Sequence, residues 1–372
     1  MRIGKFWSTA KISLLCLIAC FSINTWGQFP EDLLIYYKQV AIAENHIISQ
    51  QYDSAAFYYR TAFANKQYPF YMDLNNALLC EVKSSVQDIP ICQSYFHKLV
   101  RLGLTSDRFS LLIGNSDWNI FKGIVDTTIV VRSKDWKEML NDDQSVREYC
   151  RKLNKGNIYS GTCLDSIRFI DTVNVHRIRN TYKTANLFEA NLIGNQGEGA
   201  MLTIFMHVFK DNRAFFMPIL LEAVHQGVFD ARVYAFFVDR EYDDGTKLSF
   251  VGGPYGTHSL MVFCEEADDI FCFECKKHIA IFHFDKSDLD NIRLLQEINS
   301  RRKQIYLGDV IQDRYRTFKL KMCRKEGFLT SNLPVICGDS PEFNGRKYIQ
   351  WWKDNNMEIT YFIQGEHDFN FE

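Results

Sequence analysis

Between Met201 and Val238 the chain carries two segments that are apolar on almost every side. Leu202, Ile204, Phe205, Met206, Val208 and Phe209 surround a single His207, and Val233, Ala235, Phe236, Phe237 and Val238 follow further on. A helix without a polar face gains nothing on a surface, so both must pack inward and the rest of the chain must be arranged around them. Between the two, MPILLEAVHQ (217–226) reads as another helix, stopped by Gly227 at the left-handed cap position, and Asp230 stands where the next helix needs its N-cap.

Upstream, LNDDQSVREYCRKL (140–153) and LDSIRFIDTVNVHRIRNTYK (164–183) have helical periodicity, as does the stretch from Asp32 to Leu104. In that stretch Ile42-Ala43, then Tyr52-Asp53-Ser54-Ala55, Tyr59 and Ala62 match the small and aromatic positions of a tetratricopeptide helix pair, with His46 in place of the usual Tyr. A second, degenerate pair follows around Asn76-Ala77 and Cys92 to Leu99. Two such pairs do not make an independent solenoid, so this segment must dock on the remaining chain or on a partner. After His258 the pattern turns to alternation. IFCFECKKHIAIFHF (270–284) suggests a hairpin about its Lys-Lys pair, and the tail from Arg314 reads as further short strands.

The expected fold is therefore mainly α with a smaller β portion, an α+β molecule. The boundaries are a signal peptide at 1–27, a tetratricopeptide-like segment at 28–104, a connector at 105–136, a central helical domain at 137–309 and a strand-rich extension at 310–372.

The first residues read as an export signal. Arg2, Lys5 and Lys11 form a positive region, Ile12 to Phe21 an apolar run too short to span a bilayer, and Thr25-Trp26-Gly27 a small-x-small cleavage site before Gln28. Leu17-Ile18-Ala19-Cys20 also fits a lipobox, which would make Cys20 an acylated N-terminus. The expected location is periplasmic or extracellular, membrane-anchored if Cys20 is lipidated, with no membrane span in the mature chain. Export changes the meaning of the nine cysteines beyond the leader. Cys80 with Cys92, Cys150 with Cys163, and Cys323 with Cys337 lie at separations suited to short disulfide loops, and burial as small hydrophobes is the alternative for each. With a net charge of −2 and no basic cluster beyond Arg301 to Lys303, nucleic acid is not an expected partner.

The run His207 to Asp211, MPILLEAVHQG, Val238-Asp239-Arg240 and Pro254-Tyr255-Gly256-Thr257-His258 resembles an uncharacterised bacterial domain family. That family is marked by Gln-His with an Asp four residues on, Leu-Pro-Leu-Leu ending in Gly, Asp-Arg, and Tyr-Gly-Thr-Gln. Asp142 to Arg147, Asp171 with Asn174, and Ser300 to Gly308 also fall at family positions, while Met206 and His258 depart from the pattern. The resemblance identifies a fold unit and implies no reaction.

The candidate catalytic residues are His207, Asp211, Asp239 and Arg240. An i, i+4 His/Asp pair can fix an imidazole tautomer for general-base work, although a hydrogen-bonded core histidine looks the same in sequence. Asp239 beside Arg240 is equally suited to a structural ion pair. The turn Tyr255, Gly256, Thr257 and His258 offers backbone amides and hydroxyls to a ligand carboxylate or phosphate. GNQGEG (194–199) lacks the Gly-Lys-Ser/Thr of a phosphate-binding loop and reads as a plain loop. Cys272-x-x-Cys275 with His278 and His283 is too tightly spaced for a closed zinc set. No cofactor and no metal is expected. The function expected is an interaction or ligand-binding role in the cell envelope with a protein or peptide partner. The alternative is an envelope hydrolase or transferase using His207 with Asp211 or Asp239, which requires those groups and the glycine turn to converge on one open cleft.

Overall fold

The computed structural model describes residues 29–64, 66, 69–104, 121, 133–154, 161–183, 190–240, 253–257, 260–264, 277–282, 289–322, 328–329, 335–337 and 359–363. Two helical hairpins come first: α1 (Phe29–Ile48) with α2 (Tyr52–Ala64), then α3 (Tyr71–Lys83) with α4 (Ile89–Arg101). Tyr36, Val40, Ala43 and Ile47 recur at helical spacing on the inner face of α1, and Ala55, Ala56, Tyr59 and Ala62 on that of α2. The alanines let the two backbones approach closely. His46 stacks on Tyr58 between the two helices, with ring centroids 5.2 Å apart and 9° between planes.

Helix α3 is the pillar of the molecule, buried at every residue from Asp73 to Val82. Such burial is tolerated only because its polar groups are matched. Asn76 exchanges two hydrogen bonds of 2.7 Å with the backbone of Leu329, and Glu81 takes Arg60. Asp73 accepts from Tyr36 at 2.5 Å and from both terminal nitrogens of Arg232 at 2.9 and 2.7 Å.

The central helices are α5 (Ser133–Leu153), α6 (Thr162–Thr181), α7 (Ala190–His225) and α8 (Ala231–Arg240). Helix α7 contains both segments that the sequence divides, bent at Asn212 (φ −118°, ψ 15°) and interrupted near its start by Gly194. The run 194–199, expected as a loop, is thus part of a helix, because packing of the apolar turns that follow overrides three glycines in six residues. Gly227 does cap α7 in the left-handed region (φ 71°), and Asp230 does cap α8, accepting from Arg232 N at 2.9 Å. Helices α9 (Leu289–Gln304) and α10 (Val310–Met322) complete the described helical body.

Four short strands, β1 (Leu260–Cys264), β2 (Lys277–Phe282), β3 (Val335–Cys337) and β4 (Ile359–Ile363), pair in the order β3-β1-β2-β4. The β1–β2 pair is antiparallel, so Lys277 begins a strand instead of turning a hairpin. The expected α+β class gives way to a helical molecule: most of the described residues lie in helices, and the described core is built by helices. The stretch from Arg314, expected as strands, starts inside helix α10.

One apolar core runs from Tyr36 through Phe205 and Phe237 to Phe328, so the N-terminal hairpins and the central helices share a single interior. The inner faces of α1 and α3 meet α8 and α10. Arg232 of α8 reaches Asp73 and Glu44, and Arg316 of α10 holds Glu44 at 2.7 Å. Cys150 and Cys163 are joined, with Cα atoms 5.5 Å apart, whereas Cys80 and Cys92 are separate buried thiols, each buried as a small hydrophobe. Cys272, Cys275, Cys323, His283 and the leader lie outside the described residues.

Candidate functional site

Helices α5 and α6 run antiparallel, tied at one end by Cys150–Cys163 and at the other by Trp136 against Tyr182, 4.8 Å between ring centroids. Between these ends the facing positions are polar. Arg147 is 6% exposed and donates Nε to Asp143 at 3.1 Å and Nη2 to Asp171 at 2.6 Å. Across from them α7 contributes His207, whose Nδ1 lies 3.1 Å from an oxygen of Asp143. Asp143 has no exposed side-chain surface, while His207 retains 21% and Asp171 23%.

Burial pushes the Asp143 carboxyl up, but the hydrogen bond and charge of His207, together with Arg147, outweigh it and hold the group below the usual carboxylate range. An ionised Asp143 only accepts, so Nδ1 of His207 is the donor, and whenever the ring is neutral its lone pair lies on Nε2. Asp171 is shifted the other way, upward, by burial and by the negative charge of Asp143, against the pull of Arg147. One ligand atom each from Asp143, Asp171 and His207 lie within 4.8 Å of one another.

The remaining candidates form a second, separate arrangement. Asp239 closes α8 and is buried, and it accepts backbone N–H bonds from Tyr255 at 2.7 Å and Thr257 at 2.6 Å. Gly253 opens this turn with φ +87°, and a Cβ there would stand 2.7 Å from the Cα of Asp239, so both the fold of the turn and the closeness of the carboxylate demand glycine. Fully buried Arg302 donates to Tyr255 O at 2.9 Å and Arg314 to Thr257 O at 3.2 Å. Burial pushes the Asp239 carboxyl up to about 7 in spite of the two amides. The turn thus spends its amides on Asp239 and its carbonyls on arginines, which leaves those groups no ligand to hold.

His207 is therefore joined to Asp143 and not to its expected partners. Asp211, one turn along α7, is exposed, and Asp239 belongs to the glycine turn. Among the described residues no hydrogen bond or ion pair links the two arrangements. Arg240 ends α8, but its side chain, and His258 altogether, lie outside the described residues. Residue spacing could not reveal Asp143, which stands 64 positions from His207. The signal available in the sequence was Asp143 with Arg147, opposite charges one helical turn apart on one face of α5. No family model, no curated protein and no solved structure matches the chain.

Proposed function

We propose that this protein is an exported enzyme of the hydrolase or transferase class, with its working site at the Asp143, Arg147, Asp171 and His207 cluster. The observation that carries the reading is the pairing of a wholly buried carboxylate with the Nδ1 of a half-buried histidine. Asp143 fixes the ring and its tautomer, Arg147 fixes Asp143, and Nε2 is left as the group that activates an attacking hydroxyl or water. The rival interaction role relies on the N-terminal hairpins being free for a partner, and α1 and α3 are engaged by α8 and α10 through Arg232 and Arg316.

The test is turnover by the purified mature protein on a panel of ester, phosphoester, amide and glycoside substrates. His207→Ala and Asp143→Asn should each lower the rate by about 10²–10⁴ with the fold retained. Activity unchanged in His207→Ala would remove the assignment. Export is supported by the leader pattern and by the Cys150–Cys163 pair, which favours an oxidising compartment. Mass spectrometry of the cell-envelope protein should find Gln28 first. An acylated Cys20 would make it a lipoprotein, and an intact leader on cytoplasmic protein would remove the export reading. Among the described residues no helix is long and apolar enough to cross a membrane.

A further inference from the structure

We infer that the α5–α6–α7 cluster binds a divalent cation of the zinc class, with Asp143, Asp171 and His207 as its protein ligands. Tetrahedral donors about 2.0–2.2 Å from an ion stand about 3.3–3.6 Å from one another. The three donors lie within 4.8 Å of one another, so side-chain rotations that draw them together by about 1 Å would close the site around an ion. One nitrogen and two carboxylate donors suit zinc better than magnesium or calcium, and three protein ligands leave a fourth position for water.

A second observation points to the same place. Asn174 has no exposed surface, and neither its Oδ1 nor its Nδ2 has a hydrogen-bond partner among the described residues. It follows Asp171 by one helical turn. The Arg147–Asp171 and Trp136–Tyr182 contacts bracket it and set the α5–α6 register so that it stands level with Asp143. A buried amide left without partners costs about 1–3 kcal/mol, which an ion or its bound water at this level would offset.

Charge leads to the same conclusion. Two carboxylates face one guanidinium, and Asp171 Oδ2 takes no hydrogen bond among the described residues, so one positive charge is missing unless His207 is protonated. The ion takes that place: bound at Nδ1, it sends the Nδ1 proton to solvent and replaces the Nδ1–H···Asp143 bond of the metal-free protein. Arg147 remains on the outer lone pairs of the two carboxylates, in the manner of the partners that orient metal ligands. Asp143, Asp171 and His207 would hold the ion, and the ion would supply the chemistry that acidifies a bound water, taking over the activation that Nε2 performs in the metal-free protein.

The inference rests on reading the cluster as the working site, and its test separates the two. Mature protein stripped with chelator is titrated with zinc chloride by calorimetry. One zinc per chain is expected, bound more weakly as pH falls, with affinity reduced more than about tenfold in Asp171→Asn and in His207→Ala. Asp171→Asn is close to isosteric and keeps the measurement decisive if His207→Ala does not fold. An absence of binding, or binding that neither substitution weakens, would overturn the inference. Substrate turnover that survives complete chelation would also overturn it while leaving His207 as the activating group. Zinc bound at this site by a protein inert on every substrate would support it and remove the proposed enzyme.

Discussion

A carboxylate with no exposed surface, as at Asp143, persists as an anion only where cations or donors surround it. Here they are Arg147 and His207, so the stability Asp143 confers is present above the unfolded carboxylate range and is lost as pH falls through its lowered folded value. Asp239 works in the opposite sense. Its folded carboxyl titrates at about 7, so its contribution is full below the unfolded value and is lost as pH rises through about 7. Glu198, raised to about 7 by burial and then by Asp230, adds to the same slope. The protein should therefore melt at a higher temperature at pH 5 than at pH 8, and Asp239→Asn should shrink that difference. The variant itself should lose about 1–3 kcal/mol, because an amide cannot accept from both Tyr255 and Thr257. A melting temperature that rises from pH 5 to pH 8 would contradict the assignment.

At the scale of elements, the legible features were those set by local chemistry. Gly227 ends α7 and Asp230 starts α8 because a left-handed cap and an N-terminal acceptor are decided within one turn of chain. What escaped were features decided by distant packing: the helical course of 194–199, the pairing of β1 with β2, and the choice of Asp143 over Asp211 by His207. A helix face states that a partner is needed but not which of several acids supplies it. The turn at Gly253 is equally tertiary in origin, since its demand for glycine comes from Asp239. Gly253→Ala should destabilise the protein by about 2 kcal/mol or more in denaturant titration, and a neutral effect would mean the turn does not close on Asp239. The Cys150–Cys163 bond closes a sequence separation of 13 residues next to Arg147. Its reduction should cost about 3 kcal/mol and lower the melting temperature.

For the whole molecule, the docking required of two short hairpins is met by a shared core and by Arg232. Arg232 binds Asp73 of α3 and Asp230 at its own helix start. Removing this guanidinium leaves two buried carboxylates unpaired, so Arg232→Ala should cost about 3–5 kcal/mol. The wild-type protein should unfold in one transition, and separate melting of the hairpins would contradict a common interior. The sequence announced the apolar centre and the need for docking. It could not announce that Arg232 and Arg316 would bind α1 and α3, or that α5, α6 and α7 would gather a polar cluster. That cluster depends on one hydrogen bond, and histidine-selective nitrogen NMR reads it directly. In the metal-free protein, neutral His207 should carry its proton on Nδ1, and the Asp143→Asn variant should lose that preference. A proton on Nε2 in the metal-free wild-type protein, or a tautomer indifferent to Asp143, would contradict the account.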